Sequence, residues 1–264
     1  MASFYIVEYS DIYNVNEIIS YWWFSLYKYL YNSLKCEKKH VYGSLPEEWR
    51  KWQLAEERKR SEEVERQNRQ ARAEKIFGRS GIRDLYRRCS FANYRVVNDG
   101  QRHALSQAKS IAENLCGDDF TCFVFSGSTG TGKNHLAAAI GNRLLARGKT
   151  VMIVTLADVM LGVRACYDTG KSEETFLAGL CDVDLLVLDE VGMQRDTKNE
   201  FVILNQIVDR RTASMKAVGI LTNLNFDSLK KLAGERVTDR LRMNGGRWVN
   251  FKWESWRQHV RQHK

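Results

Sequence analysis

The stretch that most constrains this chain is CFVFSGSTGTGKNHLAAAI at residues 122–140, where an apolar run meets a helical pattern across a glycine-rich joint. From Gly127 to Lys133 the joint has the spacing G-x-x-x-x-G-K. Between a strand and a helix, that spacing makes a loop that folds tightly around phosphates with its N–H groups turned inward. Gly127, Ser128, Thr129, Gly130, Thr131, Gly132, Lys133, Asn134 and His135 are therefore the expected nucleotide-binding residues, with Lys133 reaching the β- and γ-phosphate oxygens. Asn134 stands where a Ser or Thr hydroxyl normally ligates the magnesium ion that accompanies ATP. An Asn amide oxygen is a neutral, hard ligand that magnesium accepts.

The rest of the chain repeats the same unit. CFVFSG (122–127), TVMIVT (150–155), DLLVLDE (184–190), VGILTN (218–223) and WVNFKW (248–253) read as buried strands. Helical periodicity fills 101–115, 133–146, 157–167 and 200–211 between them. This alternation predicts an α/β fold, a parallel five-stranded sheet with helices on both faces and its ligand site at the carboxyl ends of the strands.

The remaining chemistry falls at those ends. Asp189 and Glu190 close a buried strand 56 residues after Lys133, with one strand between. Asp189 joins Asn134 as the expected magnesium ligand, and Glu190 can orient and polarise an attacking water. Asn223, at the tip of the next strand, is placed to position that water. Arg236 and Arg240 are four apart and share a helical face, which could offer an arginine finger to a neighbouring copy. Arg257 could meet the phosphates from its own chain. After the second strand, Arg164, Tyr167 and Lys171 combine a stacking ring with cations, as single-stranded DNA binding requires.

Charge supports a polyanionic partner. The chain carries 41 Lys+Arg against 32 Asp+Glu, a net +9, and residues 235–264 hold eight basic side chains against three acidic. Six scattered cysteines with no C-x-x-C fit a reducing, cytoplasmic setting, and no segment is long and apolar enough to read as a membrane span. Residues 47–77, free of Gly and Pro, read as a long exposed helix from Pro46 to Gly78, with Trp49 and Trp52 as a sticky spot. Ahead of it, apolar residues from Ile12 to Leu34 at spacings of three and four mark an aromatic helical face. The expected division is a helical region at 1–78 and a nucleotide-binding domain at 79–264.

In order, GTGKNHLAAAI, DLLVLDE, LNQIVDRR, LTN, GERVTDR and the terminal W-x-S-[aromatic]-R resemble the bacterial DnaC-type replicative helicase loaders. Upstream, EE-x-x-x-WQ (47–53), ERQNR (65–69), RSGI (79–82) and CSFANYRV (89–96) resemble the same family, whereas residues 1–45 do not. The resemblance implies an AAA+ ATPase core and an N-terminal region that grips a hexameric replicative helicase, with Trp52 as its anchor. It also implies self-association through the ATPase domain, with Asn223 as sensor 1, Arg240 as the intersubunit arginine and Arg257 as sensor 2. Tyr167 falls where the family's extra helix lines the DNA path, and Asn134 matches the family's own phosphate loop. Two other functions stay open at this point: a transposition helper ATPase, and an adaptor that binds nucleotide without hydrolysing it.

Overall fold

Strands that are apolar on both sides of the pleat must be covered on both faces. In the computed structural model, which describes residues 47–77, 82, 84–117, 119–170, 172–193 and 197–256, they are. Strands β1 (Phe123–Gly127), β2 (Val151–Thr155), β3 (Leu185–Val191), β4 (Ala217–Thr222) and β5 (Arg247–Phe251) form one parallel sheet, ordered β2-β3-β4-β1-β5. The described helices are α1 (Glu47–Phe77), α2 (Asp99–Cys116), α3 (Lys133–Leu145), α4 (Leu156–Thr169), α5 (Glu173–Cys181), α6 (Thr197–Ala213), α7 (Phe226–Ala233) and α8 (Glu235–Arg242).

Strand alternation sorts the core into two layers. Phe123, Phe125, Val187, Leu221 and Phe251 pack with Ala108 and Ile111 of α2 and Leu136 and Ile140 of α3. Val124, Val154, Leu186, Leu188 and Ile220 face the other way, onto Val159 of α4 and Leu204 and Ile207 of α6. Because β1 enters beside β4, with β3 and β4 between it and β2, helices leave the strand ends on opposite sides there. The crevice so made is where such sheets bind ligands.

Side-chain caps explain where several helices begin. Asn98 accepts from the Gln101 N–H in a capping box ahead of α2, and Thr155, Ser172 and Asn225 do the same for α4, α5 and α7. Two of these helices differ from the sequence expectation. The segment before β3, read as one helix and a loop, folds as two helices, because Gly170 in left-handed conformation ends α4 and Ser172 at once caps α5. The eight-residue α7 is too short for its periodicity to stand out in sequence. The aromatic pattern from Ile12 to Leu34 lies outside the described residues.

The chain divides into two compact units, Met1–Lys59 and Arg60–Lys264. In the first, the Trp49 and Trp52 rings lie 6.2 Å apart and Lys51 pairs with Glu47 at 3.3 Å. In the second, two polar side chains satisfy backbone groups at the margins of the sheet. Gln70 lies against the edge strand β2, accepting from the Val151 N–H at 3.1 Å and donating to the Val151 carbonyl at 3.4 Å. Arg211 of α6 is fully buried and donates to the carbonyls of Cys181, Val183, Asp184 and Ala217. Burial pulls its pKa down from 12.5 to about 10, which leaves it charged at neutral pH. No helix among the described residues is long and apolar enough to cross a membrane.

Candidate nucleotide-binding site

The glycine loop leaves β1 at Gly127 and enters α3 at Lys133. Gly132, just before the helix, has φ +96°, and a Cβ added there would stand 2.9 Å from the Tyr94 ring. Both the backbone and the neighbour therefore require glycine. Tyr94 also lies 5.4 Å from the His135 ring, and the His135 Nε2 lies 3.1 Å from the Ser90 carbonyl. Asn142 of α3 donates to the carbonyls of Tyr86 and Cys89. These bonds lay the segment ahead of α2 along the helix that follows the loop.

Lys133 is buried, with its ammonium turned back onto its own loop. It donates to the carbonyls of Gly127 (2.6 Å) and Ser128 (2.8 Å) and to Asn223 Oδ1 (3.1 Å). An ammonium has three donors, and these contacts use all three. Thr131 Oγ1 donates to the Ser128 carbonyl at 2.8 Å, closing the turn.

The acidic pair owes its placement to a fault in the sheet. Leu188 pairs with Ile220 and Val191 with Thr222, so β3 carries an extra residue across from β4. Such a bulge bends a strand and re-aims its side chains. Glu190 takes φ +58° there, its N–H donates to Asp189 Oδ1 at 2.8 Å, and its side chain is exposed. Asn134 Nδ2 donates to Asp189 Oδ2 at 2.5 Å. A primary amide bonded this way keeps its oxygen as a ligand, so Asn134 beside Asp189 is a donor set that fits magnesium.

Lys133, Asn134, Asp189, Glu190 and Asn223 thus converge on one cleft of about 470 Å³, which Thr129, Gly130, Gly132 and His135 of the loop also line. Leu85, Tyr86 and Cys89 line it from the segment ahead of α2, and Met193 and Trp256 contribute as well. The sequence reading assigned no role to any of these five. Only two of them fall in stretches that resembled the loaders, Cys89 in CSFANYRV and Trp256 in the terminal W-x-S-[aromatic]-R, and neither stretch named a contact.

Other expected site residues lie apart from the cleft lining. Arg236 and Arg240 of α8 both bind Asp209 of α6, at 2.6 Å each, one on each carboxylate oxygen. Arg240 also donates to Thr212 Oγ1 at 3.2 Å. Arg164 and Tyr167 are exposed on α4, and the Tyr167 hydroxyl donates to Glu173. Trp52 is 44% exposed in the first unit. Lys171 and Arg257 lie outside the described residues.

A parallel sheet in this order, with a glycine loop after β1, an acidic pair ending β3 and a polar tip ending β4, defines a P-loop nucleotide-binding protein of the AAA+ class. Comparison with known proteins places it more narrowly: the chain belongs to the family described as IstB-like ATP binding protein, whose model matches residues 53–263. It is 67% identical over 213 residues to the uncharacterized protein YdaV of Escherichia coli K12, covering 81% of this chain and 86% of that one. It is 50% identical over 215 residues to the replicative helicase loader DnaC of the same strain, covering 81% and 87%. A crystal structure of the DnaC helicase loader superposes with a TM-score of 0.58 at 23% identity, over 64% of this chain and all of that one. The replication initiator DnaA bound to AMPPCP and single-stranded DNA superposes at 0.55 and 25% identity, over 66% and 51%.

Proposed function

We propose that this protein is an ATP-dependent loader that binds a hexameric replicative helicase and helps single-stranded DNA enter its ring. The observation that carries the reading is the convergence of Lys133, Asn134, Asp189, Glu190 and Asn223 on one cleft, in a chain half identical to a replicative helicase loader. In this reading residues 79–264 are the ATPase domain and residues 1–78 the helicase-facing region, with Trp52 as an anchor.

Lys133 exchanges its loop carbonyls for phosphate oxygens when nucleotide arrives. Asn134 and Asp189 would hold magnesium, which neutralises charge on the phosphates. Glu190 orients and polarises the attacking water, and Asn223, bonded to Lys133, ties the tip of β4 to the occupied loop. Arg236 and Arg240 serve a neighbouring copy's γ-phosphate, with Asp209 setting their direction, and Arg257 acts within the chain. Arg164, Tyr167 and Lys171 hold single-stranded DNA, so that affinity falls steeply with salt.

ATP turnover by the wild type, compared with Glu190→Gln and Lys133→Ala, tests the enzyme. Equal background in all three leaves a nucleotide-gated adaptor. Co-purification with a hexameric replicative helicase, with and without ATP, tests the partner. Retention of a transposase instead of the helicase would make the protein a transposition helper.

A further inference from the structure

A phosphate loop binds anions through inward N–H groups, so its carbonyls face outward and must be satisfied by something else. Here the segment after β5 satisfies two of them in a row. The Trp253 indole Nε1–H donates to the Thr131 carbonyl at 2.9 Å, across 122 residues of sequence. The Trp256 backbone N–H donates to the Gly130 carbonyl, also at 2.9 Å. The register accounts for the two segments meeting. Gly127 at the end of β1 pairs with Phe251 at the end of β5, so the loop and the segment leave the sheet side by side.

The indole is held as a fixed donor. Its ring lies 4.9 Å from the Phe251 ring, and on another side it meets Gly100 in the first turn of α2. A Cβ on Gly100 would come within 3.1 Å of that ring, so the absence of a side chain there is what admits the tryptophan. Three residues on, the Arg95 guanidinium lies 5.9 Å above the Trp256 ring, which itself lines the cleft.

The geometry assigns Trp253 and the Trp256 N–H as positioning groups for nucleotide binding. They keep the Gly130 and Thr131 carbonyls turned outward, and so keep the loop's N–H groups aimed at the phosphates. This assignment rests on the cleft being a nucleotide site. It adds to the loop a brace from the segment after β5, which places the residues leading to Arg257 in direct contact with the phosphate loop.

The test titrates a fluorescent ADP analogue into the full chain. Trp253→Phe keeps an aromatic ring beside Phe251 and removes the donor. Trp256→Pro removes the backbone N–H, and Trp256→Ala removes the same ring while keeping it. Trp253→Phe is expected to raise Kd about three- to ten-fold over wild type, and Trp256→Pro to raise it by a similar factor over Trp256→Ala, the range one net hydrogen bond supports. Wild-type affinity in Trp253→Phe, or equal affinities in the Trp256 pair, would overturn the assignment. Loss of cooperative unfolding in the nucleotide-free variants would overturn it too, since the segment would then be structural. If the wild type itself binds no analogue, the nucleotide reading fails instead.

Discussion

Replacing Glu190 with glycine is expected to stabilise the fold while abolishing ATP turnover. The residue stands at φ +58° in the bulge that ends β3, and its exposed side chain contributes little packing. Left-handed backbone costs an L-residue roughly 1–2 kcal/mol, a strain that glycine does not carry. Glycine also loosens the unfolded chain, which returns roughly 0.5–1 kcal/mol of that gain. The net is a stabilisation of up to about 1.5 kcal/mol, or a rise of up to roughly 6 °C in the unfolding midpoint for a domain of this size. Glu190→Ala is the matched control, because it removes the carboxylate and keeps the strain. Thermal unfolding of the three nucleotide-free proteins reads the difference. A glycine variant no more stable than the alanine variant would refute the reasoning, since the strain at this strand end would then be relieved in some other way.

Other outcomes follow from particular contacts. The buried Tyr94 hydroxyl has no hydrogen-bond partner among the described residues, so Tyr94→Phe should leave stability unchanged or raise it by up to about 1 kcal/mol in urea unfolding. Burial also pushes the Tyr94 pKa up from 10 to about 12. The unfolded chain therefore loses this proton first, and wild-type stability falls as pH rises from 10 towards 12, a decline that unfolding at alkaline pH should find smaller in Tyr94→Phe. Gly132→Ala should lower both nucleotide affinity and unfolding midpoint, and Tyr94→Leu in the same chain should recover part of the midpoint but not the φ penalty. Arg211→Ala strands four buried carbonyls at about 1–3 kcal/mol each, enough to remove the stability of a typical domain. Its expected result is insoluble expression, checked against soluble wild type.

Much of the site could be read in advance because its residues sit at strand ends, where apolar runs stop. Lys133, Asp189 and Asn223 were each marked by the strand before them, and the structure brings all three into one cleft. What could not be read depends on partners far away in sequence. The bulge that turns Asp189 and Glu190 outward exists only relative to β4, and Lys133 lying on its own loop carbonyls leaves no trace in spacing. Asp209 sits in LNQIVDRR, a motif that was recognised, but its hold on Arg236 and Arg240 requires α6 and α8 to pack together. Helix α5 was missed for a local reason: nine residues give too few turns for periodicity to show.

The contact of Gln70 with Val151 bears on where this protein can be cut. An edge strand with open N–H and C=O groups is a template for another chain, and β2 has one such pair covered by a single amide side chain. A fragment trimmed to residues 79–264, the boundary the sequence suggests, would keep every residue of the cleft and lose that cover. Sedimentation should find such a fragment self-associating more than one that starts at Arg60. Equal behaviour of the two would mean that the amide does not guard the edge. The practical boundary of the nucleotide-binding fragment is then set by what shields its sheet, upstream of where its own elements begin.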